Sequence, residues 1–405
     1  MTFFKKEELR ILWPFYLEYF IASLLFFAPA FWVIYFLDYG FNLFQIGILI
    51  AASQLAVLVF EIPTGSFADL YGRKLSVIVG YFIEGLCMFS LFFVKEYYAV
   101  LLLFTLLGIG ATFSSGSKDA WIVDMINKKD KKLIHSFFNK MQVFINSGLF
   151  FSGLLGAVAV KYFGISIIWL IAALSYLLSI ILLSFFTQEI YSRKKIKISQ
   201  SFKNLTSQTK KSVEYSYHHH VLFYFLIAGV IFAFALNLQT NISWIPLLKE
   251  LGMEDYQFGY LWSAMALVVA VSPIFAIKFL KKRKERNFII LTMILGAIIT
   301  VLILVAFNLI SAIFILLLSL FFFFSKNPAQ EVYFHRFIPS KLRATIGSVK
   351  NMIIALASII SLPLAGFLVD KIGGRYTIFI SALLVIPSII LYLKIKEDKD
   401  NKRLK

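Results

Sequence analysis

The chain alternates long apolar stretches with short polar punctuation, and the stretches are apolar on every face. Without period-two alternation they read as helices and not as barrel strands. Crossing a bilayer takes roughly 20 apolar residues per helix. Twelve such spans are predicted, at 11–37, 43–65, 75–94, 97–126, 136–162, 165–186, 221–248, 256–279, 287–307, 309–333, 344–369 and 376–393. The longest polar interval, 187–217, separates spans 6 and 7. Its seven cations stand against Glu189 and Glu214, and Phe202, Leu205, Thr209 and Val213 fall at near-helical spacing. That pattern predicts a basic cytoplasmic linker carrying an interfacial amphipathic helix.

Comparison of the chain with itself reveals a duplication. Gly40-x-x-x-x-Gln45-x-Gly47 follows span 1, and Gly252-x-x-x-x-Gln257-x-Gly259 follows span 7, an offset of 212 shared by Trp32 and Trp244. Lys140 and Lys350, Gly156 and Gly366, and Gly164 and Gly374 repeat at an offset of 210. The expected organisation is an N-terminal six-helix bundle at 1–186, the linker at 187–217, and a C-terminal bundle with a short basic tail at 218–405. Two units of six helices share one in-out orientation, related by an axis along the membrane normal.

Composition agrees: 60% hydrophobic residues, 45 Phe and a mean hydropathy of +0.82 define a polytopic membrane protein. The first span is long and lacks a small-residue cleavage site, so a retained anchor is expected. Cations precede span 1 (Lys5, Lys6, Arg10), follow span 2 (Arg73, Lys74) and span 4 (Lys128, Lys129, Lys131, Lys132), and recur at 193–211, 281–286, 336–343 and after Lys394. All fall on one side, which places both termini in the cytoplasm. Anionic headgroups of the lipid bilayer then account for the net charge of +18, and no nucleic acid is needed. Lysine far outnumbers arginine, which suggests an AT-rich microbial genome and the plasma (inner) membrane of a bacterium or archaeon. The single Cys87 lies in span 3 and permits no intrachain disulfide. There is no P-loop, no H-E-x-x-H and no supported nucleophile, so neither an enzyme nor a cofactor is expected, and energy must come from gradients. His218, His219 and His220 read as an interfacial stretch, with no metal site predicted.

Between spans 2 and 3 stands Gly65-Ser-Phe-Ala-Asp69-Leu-Tyr-Gly72-Arg73-Lys74. Gly72 permits a tight turn, Asp69 can accept N–H groups at a helix N-terminus, and Arg73 can pair with an acid. The segment resembles the signature loop of the major facilitator superfamily, Gly-x-Leu-Ala-Asp-Arg-x-Gly-Arg-Lys. Gly65, Ala68, Asp69, Gly72, Arg73 and Lys74 match, while Phe67 and Leu70 differ. Spans, linker and repeat extend the resemblance to nearly the whole chain. It implies the all-α polytopic fold of that family, with 12 transmembrane helices in two pseudo-symmetric bundles (6+6) and a solute bound between them. It also implies a conformational latch of Gly65, Asp69, Gly72, Arg73, Lys74 and Asp124, in which Asp69 meets the start of span 11 near Ala344 and Arg73 engages Asp124. The second half keeps a basic run over 276–286 but has Lys281 where Asp69 would map. The span-4 Arg-x-x-x-Gly-x-Gly pattern of proton antiporters survives only as Gly108-x-Gly110 with Phe104 at the Arg position, and the span-5 Gly-Pro pattern of exporters only as Gly148, Gly153 and Gly156.

In the family, spans 1, 4, 7 and 10 line a central cavity, which makes Tyr16, Tyr35, Asn237, Gln239, Asn241 and Trp244 candidates for substrate contact. Interhelical hydrogen bonding is the competing reading of the amides. Ionisable residues inside helices cost roughly 2.5–3.5 kcal/mol each on the insertion scale, so Glu18, Asp119, Glu84 and Glu331 are candidates for proton coupling. Glu18 leads because its span lines the cavity; Glu84 is deeper but on a peripheral span, where a structural carboxyl is the alternative. Lys118, Asp119, Lys140, Glu331 and Lys350 cluster towards the cytoplasmic ends of spans 4, 5, 10 and 11. They form a candidate gate, Asp119 with Lys350 and Glu331 with Lys140 across the halves, or else pairs within each half. The lack of a clear cavity cation apart from Lys118 weighs against an organic-anion substrate. The expected function is a monomeric secondary transporter, exporting a small organic, amphipathic or drug-like molecule against protons by rocker-switch alternating access. The alternative is an uptake carrier or facilitator for a small metabolite, and a remote one is a non-transporting membrane sensor.

Overall fold

The computed structural model describes residues 4, 6–127, 133–189, 214–279, 284–339 and 342–395. The linker helix and the cationic runs at 128–132, 193–211, 281–283 and after 395 lie outside the described residues. Every regular element described is helical. The first half comprises α1 (Lys6–Leu24), α2 (Ala28–Asp38), α3 (Leu43–Tyr71), α4 (Arg73–Phe93), α5 (Tyr97–Asn127), α6 (Leu133–Phe163) and α7 (Ile167–Phe186). The second comprises α8 (His220–Leu238), α9 (Asn241–Glu250), α10 (Gln257–Phe279), α11 (Glu285–Val301) with a 3-10 extension (Leu302–Val305), α12 (Leu309–Ser325), α13 (Asn327–Arg336) and α14 (Arg343–Lys394). Among the described residues, 11 helical stretches are long and apolar enough to cross a membrane. The last is two crossings: its 52 residues bend at Gly373 (φ 83°), and at 1.5 Å per residue they span about 78 Å, more than twice the hydrocarbon thickness.

Three predicted spans are discontinuous. Span 1 breaks between α1 and α2, where Pro29, early in α2, supplies no backbone donor. Span 7 breaks between α8 and α9, where Thr240 is extended (ψ −171°). Here the Ser243 hydroxyl donates to the Leu238 carbonyl at 2.5 Å, satisfying an acceptor at the break. Trp32 and Trp244 follow their breaks at equivalent repeat positions, so both interruptions occupy one register. Span 10 changes helix at Lys326, between α12 and α13.

The structure also explains the repeated Gly-Gln-Gly motif. Gly40 (φ 84°) and Gly252 (φ 92°) close the turns after α2 and α9 in the left-handed region. The Gln45 side chain then accepts from the Asn42 N–H at 3.0 Å, and Gln257 accepts from the Glu254 N–H at 3.0 Å. Each glutamine thus serves as the far half of a capping box. The second glycines allow backbone contact: a Cβ on Gly47 would lie 2.7 Å from the Pro363 Cα, and one on Gly259 2.7 Å from the Ala157 N. Small residues at such crossings let helices associate in lipid, where burial of apolar surface gives little drive.

The chain divides into two compact units: Met1–Phe41, Ala52–Phe202 and Glu254–Ala266 in the first, and Asn42–Ala51, Lys203–Met253 and Leu267–Lys405 in the second. The first has an aromatic core including Phe15, Tyr16, Tyr81, Trp121 and Phe137. The second is centred on Phe225, Phe323, Tyr333, Phe334 and Tyr392. Large apolar side chains such as Phe82, Phe185, Ile310 and Phe314 point outward and are exposed, as lipid-facing surfaces require.

Candidate functional site

The first unit holds a polar cluster deep among apolar side chains. α1 supplies Glu18 and Tyr19, α4 supplies Tyr81 and Glu84, α5 supplies Ser114, Lys118 and Asp119, and α7 supplies Tyr176. The Lys118 ammonium donates to Glu18 at 2.8 and 3.1 Å and to the Tyr81 hydroxyl at 2.8 Å. Tyr81 in turn donates to Glu18 at 2.7 Å, and the Tyr19 ring lies 3.6 Å below the ammonium. Glu18 is fully shielded from solvent, so its charge depends on this set. Tyr19 also donates to the exposed Asp119 at 3.2 Å.

Glu84 occupies a different setting one step away. It accepts from Tyr176 at 3.1 Å and more weakly from Ser114 at 3.5 Å, and among the described residues no cation bonds it. The Tyr81 and Tyr176 rings meet edge to face at 5.6 Å. Glu18 and Glu84 are therefore joined through two neighbouring tyrosines, one carboxylate neutralised by a lysine and the other held by hydroxyls alone.

Lys140 is paired within the same unit. Its ammonium lies 2.7 and 2.8 Å from the buried Glu8, which also accepts from Tyr16 at 2.6 Å. Tyr16 is thereby packed into the core against Phe137 and Phe144. Tyr35 is fully buried, donates to the Leu91 carbonyl at 2.9 Å and packs edge-on against Trp169.

The signature segment is mostly helical. α3 continues through Gly65 and Asp69 to Tyr71, Gly72 (φ 110°) breaks it, and α4 starts at Arg73. The Arg73 guanidinium donates to the Asp124 carboxylate and, at 2.6 Å, to the Ala120 carbonyl. Lys74 donates to the Ser184 and Thr187 carbonyls at 2.9 and 2.7 Å. The Arg73 N–H donates to Glu189 at 2.5 Å, placing a carboxylate at the positive N-terminus of α4. The loop thus clasps the ends of α5 and α7. The contact expected of Asp69 near Ala344 falls beside 340–341, which lie outside the described residues.

In the second unit Asn237 donates to Ser358 and Ser361, both at 2.9 Å, joining α8 to α14. At the α8–α9 break the Gln239 Nε2 and Trp244 Nε1 are buried donors with no partner among the described residues. Asn241 opens α9. Lys350 donates to Glu331 at 2.8 Å, and His335 stands 3.5 Å from the same carboxylate. Lys140 and Lys350 are thus each held inside their own unit in this structure. The histidine tract makes local contacts: His218 meets the Glu214 carbonyl, His219 caps α8 by accepting from Leu222, and His220 lies against Tyr224.

Sequence reasoning missed Glu8, Glu189, Asp370 and Lys326. Asp370 accepts from the Leu43 and Phe44 N–H groups at 3.1 and 2.9 Å, capping α3. Lys326 is buried at the α12–α13 junction, donates to Gln330 and lies 4.2 Å from the Phe232 ring centroid. Its place in Ser-Lys-Asn-Pro resembles helix-ending punctuation, although a lysine inside an apolar span was itself a signal.

Twelve crossings, a duplicated architecture and buried ion pairs define a polytopic membrane transport protein. The model of the Major Facilitator Superfamily matches residues 15–361, and the chain belongs to that family. It is 24% identical over 384 residues to the uncharacterized MFS-type transporter YxaM of Bacillus subtilis (strain 168), covering 93% of each chain. It is 21% identical to multidrug resistance protein 2 of the same organism, over 88% of this chain and 87% of that one. A bacterial homologue of iron transporter ferroportin, solved in its inward-facing state, superimposes with a TM-score of 0.75 at 15% identity, covering 95% of this chain and 98% of that one. At that identity the likeness is one of fold.

Proposed function

We propose that the chain is a proton-coupled secondary transporter exporting a small amphipathic organic molecule by alternating access of its two halves. The observation that carries this reading is the Glu18–Lys118–Tyr81 set with Glu84 beside it. Titratable groups at membrane depth are costly and mark ion pathways, and two linked carboxyls in unlike surroundings can take and release a proton in turn. In this reading Glu84 carries the proton, and Glu18 shifts between Lys118 and a protonated form as the halves move. Export draws support from the relative named multidrug resistance protein 2. One proton moving down roughly 150 mV supplies about 3.5 kcal/mol, enough for a solute gradient of roughly 300-fold.

The Gly65–Lys74 segment acts as the latch, with Arg73 anchored to α5 so that Asp69 is presented towards span 11 when the halves rock. Lys140 and Lys350 exchange their present partners for carboxylates across the halves during the cycle. Both termini face the cytoplasm, and the protein works as a monomer in the plasma membrane.

Proteoliposomes with an imposed pH gradient and an internal pH dye test the coupling. Wild type should move protons only with an added solute, and Glu84→Gln should still bind and exchange solute without proton movement. Proton-coupled transport that persists in Glu84→Gln removes Glu84 from the path; solute movement indifferent to the gradient makes the protein a facilitator.

A further inference from the structure

Of the membrane-embedded lysines, Lys118 is neutralised by Glu18 and Lys140 by Glu8. Lys326 differs from both. It is 5% exposed and sits ten residues before the end of α13 at Arg336, about 15 Å along the helix from that end. Its ammonium donates to the Gln330 carbonyl oxygen and lies over the Phe232 ring. Among the described residues no carboxylate bonds it, and the neighbouring Glu331 is engaged by Lys350 and His335. An ammonium has three donors, so Lys326 retains donor capacity, with Glu331 near enough to act on it but bonded elsewhere.

Space adjoins the partner of this lysine, Gln330. A small open pocket is lined by Phe225, Leu226, Gly229, Gln330, Lys350 and Ile353, among others. A Cβ placed on Gly229 would meet nothing within 4 Å. Gln330 belongs to both features, accepting from Lys326 and lining the pocket with Lys350. The pocket is no larger than a water molecule, so it fits one compact polar group and not a whole solute. Lys350 lines it directly, bonded to Glu331, and Lys326 connects to it through Gln330.

Resting on the transport reading, we infer that Lys326 and Gln330 form the seat for the anionic group of the transported solute. The cargo is an amphipathic organic anion of the carboxylate type. The cargo's anionic group supplies the carboxylate partner that Lys326 does not bond within the described residues, and its apolar body stays outside the small pocket. This runs against the expectation that the lack of a clear cavity cation apart from Lys118 disfavours an organic-anion substrate.

Thermal unfolding of the purified full-length protein in detergent tests the seat, followed with a thiol dye that reports exposure of the buried Cys87. The probes are acetate, benzoate and 2-naphthoate, the amide of each, and 2-naphthylmethylamine. At least one carboxylate should raise the unfolding temperature of wild type saturably while its amide does not. Lys326→Met should bind that carboxylate roughly tenfold or more weakly, the factor for losing one charge-assisted bond. Lys326→Arg should keep the response. If Lys326→Met shows no cooperative unfolding, Lys326→Gln takes its place under the same expectation. Absence of stabilisation by every carboxylate, or a response unchanged in the Met or Gln variant, overturns the seat. Stabilisation by the amine or amides, with gradient-driven movement of those solutes in proteoliposomes, also overturns it but leaves the transport reading standing.

Discussion

Replacing Lys118 with Met would strand the Glu18 carboxylate, fully shielded, with the Tyr81 hydroxyl as its remaining printed donor. Two charge-assisted bonds would be lost, at 2.8 and 3.1 Å. At about 1.5–3 kcal/mol each they amount to roughly 3–6 kcal/mol, in line with the ~3–5 kcal/mol for breaking a buried pair from one side. Glu18→Gln should cost less, about 1.5–3 kcal/mol, because the amide oxygen still accepts and Lys118 keeps the Tyr81 hydroxyl and the Tyr19 ring. The double variant should be less destabilised than the sum of the singles by about 2 kcal/mol. Reversible SDS unfolding in mixed micelles, followed by tryptophan fluorescence, supplies all four corners of the cycle. Additivity within about 0.5 kcal/mol would refute the reasoning, because uncoupled residues would behave that way.

Asp69→Asn should lower transport turnover while leaving the unfolding temperature in place, since the change removes charge and not volume; unchanged kinetics in proteoliposomes would contradict the latch. Gly259→Ala drives a methyl into the Gly153 carbonyl and the backbone at Ala157, with an expected loss of about 1–3 kcal/mol in the same micelle assay; an unaltered midpoint would show that the helices separate freely there. Asp370→Ala removes the acceptor for two N–H groups at the start of α3, a cap worth about 0.5–2 kcal/mol; faster amide exchange at Leu43 and Phe44 is the local readout, and protection equal to wild type would deny the cap its role.

The twelve crossings were legible because an apolar run of bilayer length has few alternative fates. The breaks were not, since the residues around Phe26 and Gln239 are individually compatible with a continuous helix and only Pro29 hinted otherwise. Arg73 with Asp124 was readable from the signature, because both partners sit at helix ends whose neighbourhood the family pattern implies. The partners of Glu18 and Lys140 were not readable from spacing, because they depend on which faces of α1, α5 and α6 turn towards one another. Lys326 escaped because its neighbours in sequence are polar, whereas its neighbours in space include Phe232 from another helix.

The paired interruptions of spans 1 and 7 separate the position of a joint from the chemistry that makes it. α1 stops at Leu24 and α8 at Leu238, while α2 and α9 resume at Ala28 and Asn241, each ahead of its tryptophan. Different chemistry holds the two joints, a proline in one and a serine hydroxyl in the other. A shared register with unshared means shows that what the two halves have in common is the place of the joint and not the residues that make it.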